Sequence, residues 1–436
     1  MKILLISPVK DIEFRTKKGL LMPQLALYII QGLTPKEHQV EIVDEEYGDE
    51  IDFTKHYDLV AISCMTANAP RAYTLATEFR KKGIKVVLGG VHPSILPNEA
   101  KQYCDAVAIG EAEGIWSDIV ADAKNNTLKS FYHKEEPDLT PYVPKDYSAL
   151  RSKHWLQLIP IMTTRGCPYN CDFCSVANLF GKKIRHIPIE NVVRDIKESK
   201  SKRFMFLDDN IIGNKKYAKE LFKALIPLKI NWLGQSSISF ANDTELMELA
   251  AKSGCKGLFI GLESVCESSL KYVKKTHNHI SDLEAALARI RKMGIMINAS
   301  VIFGFDYDTK ESFKETVDFL IRNKLNSVTF NILTPYPGTK VFEDLNKQER
   351  LISKDWKYYD HNTVVFKPTN MSAYDLQLSK TLARRDFYRT HSIIKRFFYN
   401  YANPLVFIVT NFSNKKQVKV EFEKMPRLKE MLTKHL

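Results

Sequence analysis

Three cysteines, Cys167, Cys171 and Cys174, fall within eight residues in the run Thr164-Arg165-Gly166-Cys167-Pro168-Tyr169-Asn170-Cys171-Asp172-Phe173-Cys174. Thiolates at that spacing can wrap one soft metal centre from a single loop. Structural zinc normally takes four protein ligands. A local fourth is missing here, since Cys255 and Cys266 are distant and His186 lies beyond a helix-like segment. A [4Fe–4S] cluster held by three cysteines leaves one iron open for a substrate or cofactor. The set of three therefore favours a catalytic cluster over structural zinc. The remaining cysteines, Cys64, Cys104, Cys255 and Cys266, are scattered. An odd total of seven, unevenly spaced, does not read as a secreted disulfide framework and suggests a reducing compartment.

Two series of alternating elements must position that loop. In residues 1–125, apolar runs at Ile3–Ile6, Val40–Val43, Leu59–Ile62, Val86–Leu88 and Ala106–Ile109 read as strands. Helical patterns lie between them at Leu21–Gly32, Pro70–Lys82, Asn98–Tyr103 and Ile115–Ala123. Near-continuous apolar strands with helical crossovers predict a doubly wound parallel sheet, whose ligand should sit beyond the strands' carboxyl ends. There the chain places Ser63-Cys64-Met65-Thr66, Gly89-Gly90-Val91-His92-Pro93 and Gly110-Glu111-Ala112-Glu113. Each alone suits a plain turn; three on one edge favour a ligand site. Residues 126–155, with Pro137, Pro141 and Pro144, read as a linker. Within 156–345, strands are expected at Leu158–Thr163, Phe204–Leu207, Asn231–Gln235, Gly257–Gly261, Met296–Phe303 and Ser327–Leu333, with helices between, predicting a partial (β/α)6 barrel. Residues 346–436 read as a mainly helical cap.

The chain has 436 residues, 44% hydrophobic and 26% charged, which excludes disordered and collagen-like classes. The net charge of +13 is uneven: residues 1–150 carry 17 Lys and Arg against 22 Asp and Glu, so the excess of cations lies beyond them. A basic part suits an anionic substrate, an anionic lipid surface or nucleic acid, or is a solvated lysine-rich face. No basic run with interleaved aromatics occurs in 151–330, which weighs against nucleic acid and DNA. No apolar stretch approaches the roughly 20 residues that span a bilayer. The N-terminal MKILLISPVKDIEF reads as a strand followed by charge, not a signal peptide, so a cytosolic protein is expected. Near the other end, Ile393–Tyr401 mixes basic and aromatic residues and Asn403–Val409 follows as an apolar run. Such a segment can rest on an anionic membrane surface or pack on the barrel with a solvated basic tail. The membrane case leans toward a lipid or other apolar substrate.

With aromatic Phe173 just before its last cysteine, the motif resembles that of the radical S-adenosylmethionine (SAM) superfamily. The resemblance implies that Cys167, Cys171 and Cys174 hold the cluster. Its open iron would bind the amino and carboxylate groups of SAM, and reductive cleavage would release a 5′-deoxyadenosyl radical. Phe173 would lie by the adenine. Further expected SAM contacts are Asp208 and Asp209, near the methionyl ammonium or as a helix-cap pair, with Ser236, Glu263 at the ribose and Phe303 in the adenine segment. Asp208-Asp209-Asn210 departs from the Gly-Gly-Glu of many relatives. The N-terminal domain, with IGEAEGIW at 109–116 and GGVHPS at 89–94, resembles the cobalamin-binding subclass. Cobalamin contacts are then expected at Ser63, Met65, Thr66, Gly89, Gly90, Val91, Gly110 and Glu111. No Asp-x-His triplet occurs in 1–125, so no axial histidine is assigned, and His92 before Pro93 suits a turn.

Thr334-Pro335-Tyr336-Pro337-Gly338-Thr339 is similar to a segment of hopanoid methylases and the anaerobic magnesium-protoporphyrin ester cyclase. The resemblance implies cobalamin-dependent C-methylation of an unactivated carbon, in a lipid-like or other secondary metabolite, with electrons from a flavodoxin or ferredoxin. The alternative is cobalamin-independent radical coupling, cyclisation or rearrangement. An RNA-modifying methylthiotransferase would need three N-terminal cluster cysteines, where only Cys64 and Cys104 occur.

Overall fold

The structure is a computed structural model that describes residues 1–10, 22–148, 157–266, 269, 280–400 and 403–433. Leu21, residues 149–155 of the expected linker, and Tyr401 lie outside the described residues. The chain forms two compact units, Met1–Cys167 with Val176–Leu207 and Pro168–Ser175 with Asp208–Leu436.

In the first unit the chain runs β1 (Lys2–Ser7), α1 (Leu25–Leu33), β2 (Gln39–Asp44), β3 (Leu59–Ser63), α2 (Ala69–Lys81), β4 (Lys85–Gly89), α3 (Val91–Ile95), α4 (Pro97–Ala100), β5 (Ala106–Ile109), α5 (Trp116–Asn125) and β6 (Phe131–His133). The six strands form a parallel sheet in the order β2-β1-β3-β4-β5-β6. Alternate residues of each central strand enter opposite cores. Leu4, Ile6, Val60 and Ile62 pack with Ala72, Leu75 and Phe79 of α2. Ile3, Leu5, Leu59 and Ala61 pack with Leu27 of α1 and Trp116 and Ile119 of α5. Burial on both faces is why these strands are apolar at every position. The strand order reverses between β1 and β3, the switch point where such sheets hold ligands.

The sixth strand was not anticipated and arises from the segment expected to be linker. Only three residues long, it is anchored by Tyr132, whose Oη donates to Asp122 at 2.7 Å and accepts from the Lys129 amide. The unit continues with β7 (Ile159–Ile161), β8 (Thr164–Arg165), α6 (Val176–Phe180), β9 (Arg185–His186), α7 (Ile189–Ser199) and β10 (Arg203–Phe206). β7 and β10 pair in parallel, whereas β8 and β9 form a two-residue antiparallel ladder.

The second unit holds α8 (Lys215–Leu225), β11 (Asn231–Ser236), α9 (Thr244–Lys252), β12 (Cys255–Glu263), α10 (Ile280–Lys292), β13 (Met296–Phe303), α11 (Lys310–Arg322), β14 (Ser327–Ile332), α12 (Lys340–Lys347), α13 (Ala373–Phe387), α14 (Thr390–Phe397) and α15 (Pro404–Thr433). β11 to β14 are consecutive parallel neighbours. With β7 and β10, these strands and their intervening helices make the second series an incomplete (β/α)6 barrel.

One face of β11–β14 is apolar and helix-covered: Trp232 stacks on Phe222 of α8 at 5.3 Å, and Phe303 on Phe313 of α11 at 4.2 Å. The other face carries polar side chains among apolar ones. Asn298 there accepts from Thr329, and Ser300 from Asn331 at 2.9 Å, with Gln235 and Phe259 in the same register. A barrel interior that admits polar ligands has this character, since the inner face need not be covered by helices. The terminal region is mainly helical, as expected. Tyr388 at the end of α13 clamps β14, with its Oη donating to the Val328 carbonyl and accepting from the Val328 amide. Among the described residues no helix is long and apolar enough to cross a membrane.

Candidate functional site

At the carboxyl edge of the N-terminal sheet, a cavity of about 390 Å³ opens at the switch point. It is lined from β1 by Ser7, from β3 by Ser63 and Met65, and from the next two strand ends by Gly90, Val91, Gly110 and Glu111. Of the residues expected at a corrinoid, Ser63, Met65, Gly90, Val91, Gly110 and Glu111 line this cavity, whereas Thr66 and Gly89 do not. Thr66 is buried, and Gly89 packs toward Ala108.

Gly90 has φ +95°, and a Cβ there would come within 2.8 Å of the Cys64 backbone. Only glycine fits this close approach. Ser94 ties the two glycine loops together, donating to the Gly90 carbonyl and accepting from the Gly110 amide at 2.9 Å. His92 turns away from the cavity and is fully buried, with Nε2 3.3 Å from Glu99 and its ring beside Tyr73. No histidine lines the cavity among the described residues. Backbone, small polar groups and the half-exposed Met65 thioether fit the face of a flat macrocycle.

Glu111 is more than a cavity wall. Its buried carboxylate takes ion pairs from both Arg165 and Arg185, and Arg165 also pairs with Glu113. Arg185 adds a bond to the Pro137 carbonyl at 3.1 Å. Burial alone would raise the Glu113 carboxyl; the Arg165 guanidinium outweighs it and holds the group below its ordinary value. This four-residue cluster was not legible from the sequence, because its partners lie far apart in the chain. The nearest signal is an arginine two residues before the first cysteine of the motif.

Cys167, Cys171 and Cys174 are half-buried and in no disulfide. Gly166, at φ +92°, lets the chain pass the Lys183 carbonyl, which a Cβ would meet at 2.4 Å. The Cys174 amide donates to the Cys171 carbonyl at 3.0 Å, a tight turn. Among the described residues no three His, Cys, Asp or Glu side chains are gathered closely enough to share one ion. The donor set still fits an iron–sulfur cluster: three soft thiolates on a glycine-led turn.

In the second unit, the Phe173 ring lies 6.3 Å from Phe305. Phe303, the residue expected beside the adenine, instead stacks into the helix-covered core on Phe313 and near Phe330. The strand ends at Phe303 and Gly304, at φ +112°, turns the chain out of it, so that the later phenylalanine, Phe305, reaches the cysteine loop. Asp308 holds that turn, accepting from the Gly304 and Phe305 amides at 2.8 and 3.0 Å and from Ser269 Oγ. Burial pushes the Asp308 carboxyl up to about 6, against these three bonds. Ser236 likewise lies in register with Ile260 on the helix-covered face, whereas its neighbour Gln235 shares the inner face with Phe259. Asp208 is fully buried and Asp209 partly so. Asn210 accepts from the Ser237 amide, and the Ile211 amide donates to Gln235, so this loop is tied to the end of β11. Glu263 ends β12 at a bulge, buried and with φ +62°. A non-glycine residue held in that conformation is strained, and such strain collects at functional sites.

A pair not foreseen stands at the same strand ends. The Ile332 amide donates to the His361 carbonyl at 2.7 Å, which pins the cap segment to the end of β14. Tyr336 Oη lies 3.1 Å from both the Tyr359 carbonyl and His361 Nε2. A phenol has one proton, and the carbonyl can only accept. Both contacts are satisfied when Tyr336 donates to Tyr359 and His361 Nε2–H donates to Tyr336. His361 Nδ1 then keeps its lone pair and has no hydrogen-bond partner among the described residues. Packing lowers the His361 pKa, although Asp360 and Glu263 pull upward, so the imidazole is neutral at pH 7.

Residues 161–320 match the Radical SAM superfamily and residues 18–120 the B12 binding domain. The chain is 35% identical to bacteriochlorophyllide d C-12(1)-methyltransferase of Chlorobaculum tepidum, covering 91% of this chain and 89% of that protein. It is 33% identical to the C-8(2)-methyltransferase of the same organism, over 92% and 93% of the two chains. A solved structure of TsrM from Kitasatospora setae, a radical SAM methyltransferase with cobalamin and a [4Fe-4S] cluster bound, superposes with a TM-score of 0.66. It covers 80% of this chain and 75% of that one at 17% identity, a likeness of fold.

Proposed function

The chain belongs to the radical SAM superfamily, with a B12-binding domain ahead of its barrel, and we propose that it methylates an unactivated carbon on the rim of a bacteriochlorophyllide-type magnesium tetrapyrrole. It is an enzyme whose cofactors are a [4Fe–4S] cluster, SAM and cobalamin. One observation carries the substrate class. Two methyltransferases that align over nine-tenths of this chain are named for different carbons of one macrocycle. A shared scaffold with variable regiochemistry fits an active site that recognises the ring as a whole.

When bound, the cluster and SAM supply a carbon-centred radical and cobalamin supplies the methyl group. The protein's task is to hold and orient them. Cys167, Cys171 and Cys174 are the cluster ligands in this scheme. Phe173 and Phe305 form an aromatic wall for the adenine, with Asp308 positioning Phe305. Asp208 and Asp209 face the methionyl ammonium, and Glu263 the ribose hydroxyls. Ser63, Met65, Gly90, Val91 and Gly110 cradle the corrin. His361 Nδ1, neutral and open at the strand ends, suits the axial position of a ring-bound magnesium. Reducing electrons come from a flavodoxin- or ferredoxin-type donor.

The test is turnover by the anaerobically reconstituted enzyme, loaded with cobalamin, given bacteriochlorophyllide d and a flavodoxin reductant. A product heavier by one methylene unit, formed with 5′-deoxyadenosine, supports the proposal. SAM cleavage with full corrinoid occupancy but an unchanged chlorin rejects the substrate class. A chain that retains no corrinoid rejects methyl transfer from cobalamin.

A further inference from the structure

Most of the exposed large apolar side chains among the described residues fall between Ile394 and Phe412. On α15 they form a stripe: Leu405, Ile408, Val409 and Phe412 recur at helical spacing, and Leu405 is 72% exposed. The opposite face of the same helix buries Phe407, Asn411 and Val418. Ile394 on α14 and Phe398 at its C-cap stand one turn apart, and Phe398 is also 72% exposed. These are not frayed ends. Arg396 is fully buried and donates to the Leu325 and Phe387 carbonyls and to Asn411, which locks both helices to the chain just before β14.

Charge around this face has one sign. Residues 387–420 contain no Asp or Glu. Lys395 is exposed beside the stripe, Lys324 lies over the Tyr399 ring at 4.9 Å, and Lys415 over Phe412 at 5.9 Å. A neighbouring cavity of about 570 Å³ is walled by Arg291, Lys292, Asn326, Phe398 and Tyr399, with no acidic residue in its lining.

We propose that the α14–α15 face docks the protein on an anionic phospholipid bilayer, with the apolar stripe in the interface and the cations on the headgroups. A second copy of this chain fits poorly, because it would set cations against cations. An anionic bilayer offers both an apolar layer and complementary charge. The face lies at the amino ends of β13 and β14, since its cavity includes Met296 and Asn326. Glu263 and His361 lie at the carboxyl ends of the strands. β13 alone is eight residues, roughly 25 Å, long. The bilayer therefore serves as an anchor, and this tail loses its value as a pointer to a lipid substrate.

The experiment is co-sedimentation of the full, cofactor-loaded chain with vesicles of phosphatidylcholine alone or with phosphatidylglycerol added. The wild type should bind the anionic vesicles, and added salt should weaken binding. The double variant L405E/V409E, at exposed positions, should bind roughly tenfold more weakly or less while retaining its corrinoid and its melting temperature. K415E tests the charge alone and should lower binding to anionic vesicles only. Absence of vesicle binding overturns the proposal. So does equal binding to neutral and anionic vesicles, or a dimer in sedimentation velocity that L405E/V409E dissolves.

Discussion

At the scale of single residues, chemistry is concentrated in a few side chains whose neighbours decide what they can do. Cys171→Ala should abolish SAM cleavage, because two thiolates cannot hold the cluster. The variant's N-terminal unit should still bind cobalamin, measured as corrinoid retained after gel filtration. Persistent SAM cleavage would remove Cys171 from the ligand set. His361 is the counterpart at the carboxyl end of β14. If Nδ1 ligates the substrate's metal, the wild type should bind a magnesium or zinc chlorin more tightly than its metal-free form. His361→Ala should lose that preference while still binding the metal-free ring. Equal affinity for metallated and metal-free chlorins in the wild type would rule out ligation, whatever the fate of catalysis.

At the scale of elements, the buried Glu111–Glu113–Arg165–Arg185 cluster links the end of β5 to β8 and β9 within the first unit. Removing one partner of a buried ion pair leaves a charge uncompensated and costs about 3–5 kcal/mol. Glu113→Gln should therefore lower that unit's stability to urea at neutral pH. The pH dependence has a defined sign. Folding depresses the Glu113 pKa, so its contribution is complete above the unfolded value of about 4.3 and is lost as pH falls through the lower, folded value. The gap between wild type and variant should stay constant from pH 7 to about 5 and close below about 4. A gap that does not change with pH would show that the carboxylate's charge is not what stabilises.

At the scale of the whole chain, function divides between two units with different chemical characters. The first is a doubly wound sheet with a glycine-lined cavity at its switch point. The second presents an inner face with polar side chains among apolar ones along β11–β14 and an apolar, cationic face on α14 and α15. Those polar side chains agree with an enzyme that admits charged cofactors. The exposed apolar face has no role in that chemistry, and its position at the opposite strand ends is why an anchor fits it better than a substrate channel.

Much of this was determined by local sequence. The cysteine spacing names a three-thiolate cluster without reference to any fold, because one loop carries all the ligands. Alternating apolar runs and amphipathic stretches locate eleven of the strands, because burial on both faces imposes continuous apolar sequence. What local pattern could not reach was which face a residue at a strand end presents. Gln235 and Ser236 face opposite sides of β11, and Phe303 and Phe305 flank the Gly304 turn; which of each pair meets the inner face is set by non-local packing. The pairing of Glu111 with Arg165 and Arg185 spans more than fifty residues. Tyr336 meets His361 only because the cap segment returns to β14. Composition of the tail showed that it was basic and apolar, but only the packing of Arg396 and Asn411 decided which side is left bare. Periodicity is set by a residue's neighbours in sequence; orientation is set by contacts that exist only once the chain has folded.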